Sequence, residues 1–261
     1  MAMANQNGNG MRIGRLGKMP PKVDDRTLNL ADYLTPALPP APPMKTWTEK
    51  VQDWTMLGND RYGDCVIAAS LHMEQNWTAY EGPQEMEPTE QQALNVYSTI
   101  TGFNPNDPST DRGTNMLDAL NYWRKTGIGN GTILAYAASE PGNVEHIKDI
   151  VELFGAAYVG LQLPVSAQKQ KVWAVPPGGP VGSGQPSSWG GHCVPMIGYT
   201  PTQVMCVTWG QLKSMTWGFF ETYCDEAYAV LSSQWADGNR PDPDGFSLDD
   251  LKQDLNAVVS H

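Results

Sequence analysis

The sequence predicts an α+β chain of two lobes preceded by an extended arm. Three observations predict it. Helical spacing dominates the stretch from Cys65 to Lys125. Apolar strand-like runs dominate from Ala156 to Ser233, so helices come first and strands later. Before Trp47 the chain is rich in Asn, Gly and Pro and has no apolar periodicity.

Taken in order, residues 1 to about 22 are rich in Asn, Gly and basic side chains, and such a tail is disordered when alone. Residues 36–44, PALPPAPPM, form an extended proline-rich strap. Tail and strap together suggest an arm, residues 1–45, lying on the body or on a neighbour. From Cys65 to Tyr80, Ile67, Ala68, Leu71 and Trp77 recur at helical spacing, which predicts a buried helix with Cys65 in its first turn. Thr89–Thr99 and Asn115–Lys125 read as further helices, the latter stopping at Gly127. NVEHIKDIVELFG is helical, AAYVGLQLP is of β type, and PPGGPVGSGQPSSWGG is a long loop. HCVPMIGYT and QVMCVTWG are two strands joined by a turn at Pro201, and AYAVLSS is another. PDGFSLDDLKQDLNAV reads as a helix capped by Ser247. The expected division is an arm at 1–45, a body at 46–235 and a helical tail at 236–261. Within the body a helical lobe spans about 60–128 and a β lobe about 129–235.

With 261 residues and nine tryptophans the chain can build a real core. Its net charge of −11 argues against a nucleic-acid partner. No apolar run approaches a membrane span, and the amino terminus lacks the apolar centre of a secretion signal. The expectation is a cytoplasmic protein with no membrane partner. Cys65, Cys193, Cys206 and Cys224 form no C-x-x-C pair, so free thiols are expected, with neither a metal nor an organic cofactor. PDPDG is not a calcium loop, because Arg240 and Leu251 stand where the first and last acidic ligands belong. The NWT triplet at Asn76 matches a glycosylation acceptor but falls on the buried helix.

One cysteine stands apart. GNDRYGDCVIAAS places Cys65 where a tight turn enters a helix, and a helix amino end stabilises a thiolate. Asp64 opposes that charge unless its carboxylate turns outward. An activated thiol also needs an imidazole. His72 lies two turns along the same helix and faces the wrong end, His146 sits in an amphipathic helix, and His261 is terminal. His192 follows a glycine pair and opens an apolar strand, so its side chain can face a cleft.

These residues carry a resemblance to the papain-like cysteine peptidases, over about Trp47–Ser233. GNDRYGDCVIAA resembles the stretch from the oxyanion glutamine to the nucleophile, with Asn59 in the glutamine position and Gly63 before Cys65. GGHCVPMIGY resembles the histidine strand, and VTWG…MTWGFF the doubled tryptophan–glycine pattern. GTNMLDALNYWRKTGI and NVEHIKDIVELFGAAYVGLQL resemble the intervening helices and strand. The separation of Cys65 and His192 lies near the low end of the roughly 130–150 residues usual for papain. The resemblance implies a helical lobe and an antiparallel β-barrel-like lobe with a cleft between them. It departs from the pattern at Val66, where the family has tryptophan. It departs again at Val207, where the family has the asparagine that orients the imidazole. Thr208 reaches the ring only if the strand is shifted by one residue, since a one-residue slip reverses a strand's face. A removable leader of the usual length is not visible.

What the resemblance implies is a thiol hydrolase acting on peptide or amide bonds in the inter-lobe cleft. Cys65 is the nucleophile, His192 the acid–base, Asn59 an oxyanion donor and Thr208 the orienter. The alternative is a catalytically silent papain-fold structural protein, such as a virion decoration or assembly component anchored by residues 1–45. A third reading is another acyl-transfer enzyme, an amidase or transglutaminase-like protein. Cys193, Cys206, Cys224, Trp209 and Trp217 read as packing, with Trp209 placed to shield the histidine's partner from water.

Overall fold

A computed structural model describes residues 12–36, 38–233, 249–250 and 253–254. Its first long element, α1 (Cys65–Glu81), is the central helix. Every residue from Cys65 to Thr78 is buried, so this helix has no solvent face. Burial of a side chain such as Leu71 or Ile67 contributes roughly 1.5–3 kcal/mol. The polar groups on α1 are matched rather than exposed. Trp77 Nε1 donates to Phe154 O at 2.8 Å and Asn76 Nδ2 to Gly155 O at 3.2 Å. The Tyr158 hydroxyl donates to Val66 O at 2.6 Å and accepts from Ser70 Oγ at 3.1 Å. Asn76 is fully buried in these contacts, where no glycan could be attached.

Two helices flank α1. α2 (Glu90–Thr101) opens with a Thr89–Gln92 capping box and closes at a left-handed Gly102. α3 (Met116–Lys125) starts after Asn115 and buries Leu117, Leu120 and Trp123. Both boundaries fall within two residues of those read from the sequence.

The strands are β1 (Lys45–Thr46), β2 (Ile133–Ser139), β3 (Ala157–Leu163), β4 (Val172–Trp173) and β5 (Gly190–Tyr199). They continue with β6 (Gln203–Thr208), β7 (Gln211–Thr216) and β8 (Cys224–Ser232). Two more helices, α4 (Val144–Phe154) and α5 (Trp217–Tyr223), interrupt them. The sheet runs β2-β8-β3-β5-β6-β7-β4, with β1 added on β5. All pairings are antiparallel except β4 with β7. α1 packs across β5. β2, β7 and α5 were not read from the sequence. α5 has only seven residues, too short for periodicity to declare itself.

The arm departs from the disorder that its composition predicts. Residues 12–22 lie in the cleft of the protein's own body. Lys18 N donates to Gly191 O at 3.1 Å, Met19 N to Thr114 O at 3.0 Å, and Thr114 N to Gly17 O at 2.8 Å. Further on, Tyr199 OH donates to Pro42 O at 3.0 Å, so the strap lies against the β5 end of the sheet. Residues 1–11, Ser247 and the Arg240 and Leu251 positions lie outside the described residues, as does most of the expected C-terminal helix.

Candidate active site

Cys65 is the first residue of α1 and is 1 % exposed. Burial pushes its thiol up to about 12, opposed in small part by the adjacent backbone of Cys193 and Gly17. Asp64 does not turn outward, as the sequence reading required for a stable thiolate. Its carboxylate is fully buried, makes no capping bond and has no hydrogen-bond partner in the described residues. Burial raises Asp64 well above the usual carboxylate range, so the acid form is favoured and its opposition to the sulfur is softened.

His192 is the third residue of β5. Its Nε2 lies 2.7 Å from Thr208 Oγ1. The register explains why Thr208, and not Val207, meets the ring. β5 pairs Tyr199 with Val204 and Gly198 with Met205, but Met196 with Cys206, so a bulge shifts the ladder by one at Ile197. Beyond the bulge, even-numbered residues of β5 and β6 share a face, and His192 and Thr208 both lie on it. Without the shift the ring would face Val207. The ring stacks on Trp209 with centroids 4.8 Å apart and planes at 25°. His192 Nδ1 is buried and has no hydrogen-bond partner among the described residues. Burial pulls the imidazole down to about 3, so it is neutral. With its proton on Nε2, donated to Thr208, Nδ1 keeps a free lone pair.

Cys65, His192, Asn59, Thr208, Trp209 and His72 line one small space of about 10 Å³. That is room for one water at most. His72 thus faces the same space, contrary to the sequence reading. Its Nε2 bonds Thr55 O at 2.9 Å, its ring meets Trp54 edge-on, and burial pulls it down to about 4. It is a satisfied neutral histidine. Backbone strain concentrates here too: Leu57 and Trp209 both have positive φ, 57° and 47°. Such positions cost about 1–3 kcal/mol each and are kept where surroundings enforce them.

The arm closes the space from outside. Asn59 Nδ2 donates to Arg15 O at 3.2 Å and to Tyr62 O at 3.0 Å, and Trp209 Nε1 donates to Arg15 O at 3.3 Å. Arg15 N donates back to Asn59 O at 2.7 Å. Gly17 passes so close to Gly63 that a Cβ there would lie 1.9 Å from Gly63 O. Only glycine fits that crossing. Beside the arm an open groove of about 290 Å³ remains, lined by Gly63, Asp111, Gly113, Trp189 and Gly191 among others.

Sequence reasoning missed the arm's place and one cluster beside it. Lys18 Nζ is held 2.9 Å from Asp225 Oδ2 and 2.8 Å from Glu226 Oε1. The signal available was CDEAYAVLSS, an acidic pair opening an otherwise apolar strand. Cys193 and Cys206 are buried strand residues, and Cys224 is partly buried. Among the described residues no group of His, Cys, Asp and Glu is placed to hold a metal, and no helix is long and apolar enough to cross a membrane.

A central buried helix opening with a cysteine, set against an antiparallel sheet carrying a histidine, is the architecture of papain-like cysteine proteases. Comparison with solved structures agrees. Xylellain, a cysteine protease from Xylella fastidiosa, superposes with a TM-score of 0.64 at 15 % identity, over 85 % of this chain and 99 % of that one. Digestive procathepsin L 3 of Tenebrio molitor larval midgut gives 0.53 at 13 % identity, over 79 % and 76 % of the two chains. The bromelain protease from Ananas comosus, solved with the E64 inhibitor, gives 0.52 at 14 %, over 74 % and 100 %. No family model and no curated protein matches the chain. The chain therefore has the papain-like fold.

Proposed function

We propose that the protein is a papain-like thiol peptidase held latent by its own N-terminal arm. One observation carries this reading: Thr208 fixes the His192 ring, whose Nδ1 is left unpartnered in the small space it shares with Cys65, while the arm's backbone covers both. In the open form Cys65 gives its proton to His192 Nδ1, and the thiolate attacks a peptide carbonyl. The oxyanion is met by Cys65 N–H and Asn59 Nδ2, the donor that now holds the carbonyl of Arg15. His192 then protonates the leaving amine, and water hydrolyses the thioester. In the closed form a thiol pushed up to about 12 and an imidazole pulled down to about 3 stay mutually neutral, which silences the pair.

The assembly reading needs an arm free to hold a neighbour. Residues 12–19 are engaged in the chain's own cleft, which favours the peptidase.

The test is alkylation of Cys65 by iodoacetamide. Gly17→Val puts a side chain where none fits and displaces the arm. Cys65 labelling at pH 7 should rise on the order of 100-fold, because each unit of thiol pKa is tenfold in thiolate. His192→Ala in that background should remove most of the gain. Equal, slow labelling of all four cysteines in Gly17→Val would refute the reading.

A further inference from the structure

The Lys18 side chain fills a second pocket beside the sulfur. The residue before it, Gly17, lies over Cys65, and Lys18 N is bonded to Gly191, the neighbour of His192. The side chain is 1 % exposed, and its two carboxylate partners are 11 % and 6 % exposed. Both are built into the wall. Glu226 accepts from Tyr228 OH at 3.1 Å, and Asp225 from Gln162 Nε2 at 3.4 Å. Glu226 Oε1 meets the ammonium at 2.8 Å, closer than Asp225 does. The far wall is Gly160, where a Cβ would lie 2.3 Å from Lys18 Cε. A larger residue there would abolish the pocket.

When the arm leaves, two buried carboxylates lose the one cation paired with them among the described residues, and a slot the length of a lysine stem opens. Burial works to lower the Lys18 pKa, and Glu226 with Asp225 outweigh it and raise it, so the pocket holds a charged ammonium. Two buried acids without a counter-charge are costly, and a second basic side chain restores the balance.

We propose that this pocket is a specificity subsite that selects peptides carrying Lys or Arg one residue before the residue whose carbonyl is attacked. It lies on the acyl side of the scissile bond. His192 must protonate the leaving amine, and Trp209 stacks on His192, so the leaving side runs along Trp209, where Arg15 and Arg12 now lie. Lys18 and Met19 run the opposite way, toward Thr114. The proposal rests on the peptidase reading.

The experiment uses full-length Gly17→Val, with Gly14→Val as the second arm-displaced form should the first not fold. A Cβ at Gly14 would lie 2.3 Å from Asn59 O. Fluorogenic peptide amides share one acyl residue and carry Lys, Arg, Leu or Glu before it. The kcat/KM for Lys and Arg should exceed that for Leu by about tenfold or more, and Glu should be poorest. Adding Glu226→Gln should shrink the Lys-over-Leu ratio of kcat/KM by a similar factor. Equal rates for Lys and Leu, or a preference untouched by Glu226→Gln, would overturn the subsite. If no peptide is cleaved, the peptidase reading falls, and the pocket is judged by protection. The Lys peptide, but not the Leu peptide, should then slow alkylation of Cys65, and equal protection would overturn it.

Discussion

Two buried sites lie side by side under the same arm, and they handle burial in opposite ways. The Cys65–His192 site is enclosed and neutral: burial drives the thiol up and the imidazole down until neither carries charge. The Lys18–Asp225–Glu226 site is equally enclosed yet keeps its charges, because each has an opposite partner within 3 Å. The arm excludes water from the first and supplies the cation of the second. Burial alone neutralises a titratable group, whereas burial beside an opposite charge lets it stay ionised.

Breaking the charged side should have the largest effect. Lys18→Met keeps the stem but strands Asp225 and Glu226, at a cost of roughly 3–5 kcal/mol for an uncompensated buried charge. Hydrogen exchange at the amides of Lys18, Met19 and Thr114 should accelerate accordingly. Unchanged protection there would mean that the backbone bonds alone hold the arm.

On the neutral side, Thr208→Val removes the partner of His192 Nε2. In the arm-displaced form kcat should fall by about one to two orders of magnitude, the worth of one buried hydrogen bond of roughly 1–3 kcal/mol. Thr208→Asn, which can also accept from the ring, should recover part of it. An undiminished kcat in Thr208→Val would remove Thr208 from the machinery.

The smallest effect expected is with pH. In the closed form thiol and imidazole are both neutral, and in the open form the thiol's proton sits on His192, so the pair holds one proton in either state. Its share of the proton linkage therefore cancels between about pH 5.5 and 7.5. Arm release, followed by limited proteolysis within residues 12–19, should change by less than about threefold over that range. A tenfold or larger change that His192→Gln abolishes would contradict the internal proton transfer.

Part of this was legible in the sequence because it is written in local chemistry. A cysteine after a turn and at a helix start, a histidine after two glycines on an apolar strand, and Asn59 six residues before Cys65 are short-range patterns. Thr208 was half legible. Its residue type was suitable, but its face depended on a bulge at Ile197, and a single extra residue in a ladder leaves no compositional mark. An arm lying on the body or a neighbour was read, but its place in the cleft was illegible for a different reason. Its hold comes from backbone bonds to Asn59, Gly191 and Thr114 and from glycine-on-glycine contact, to which side-chain periodicity is blind. Lys18 and the Asp225–Glu226 pair are 207 and 208 positions apart along the chain, and only the fold joins them.

The Tyr158 hydroxyl bolts the start of α1 to β3, and the Asn76 and Trp77 bonds bolt its later turns to the end of α4. A helix fixed at both ends cannot swing aside to admit a peptide. On the latent-peptidase reading, access to the cleft is then controlled by a removable thread rather than a moving wall, and severing that thread becomes a one-way event.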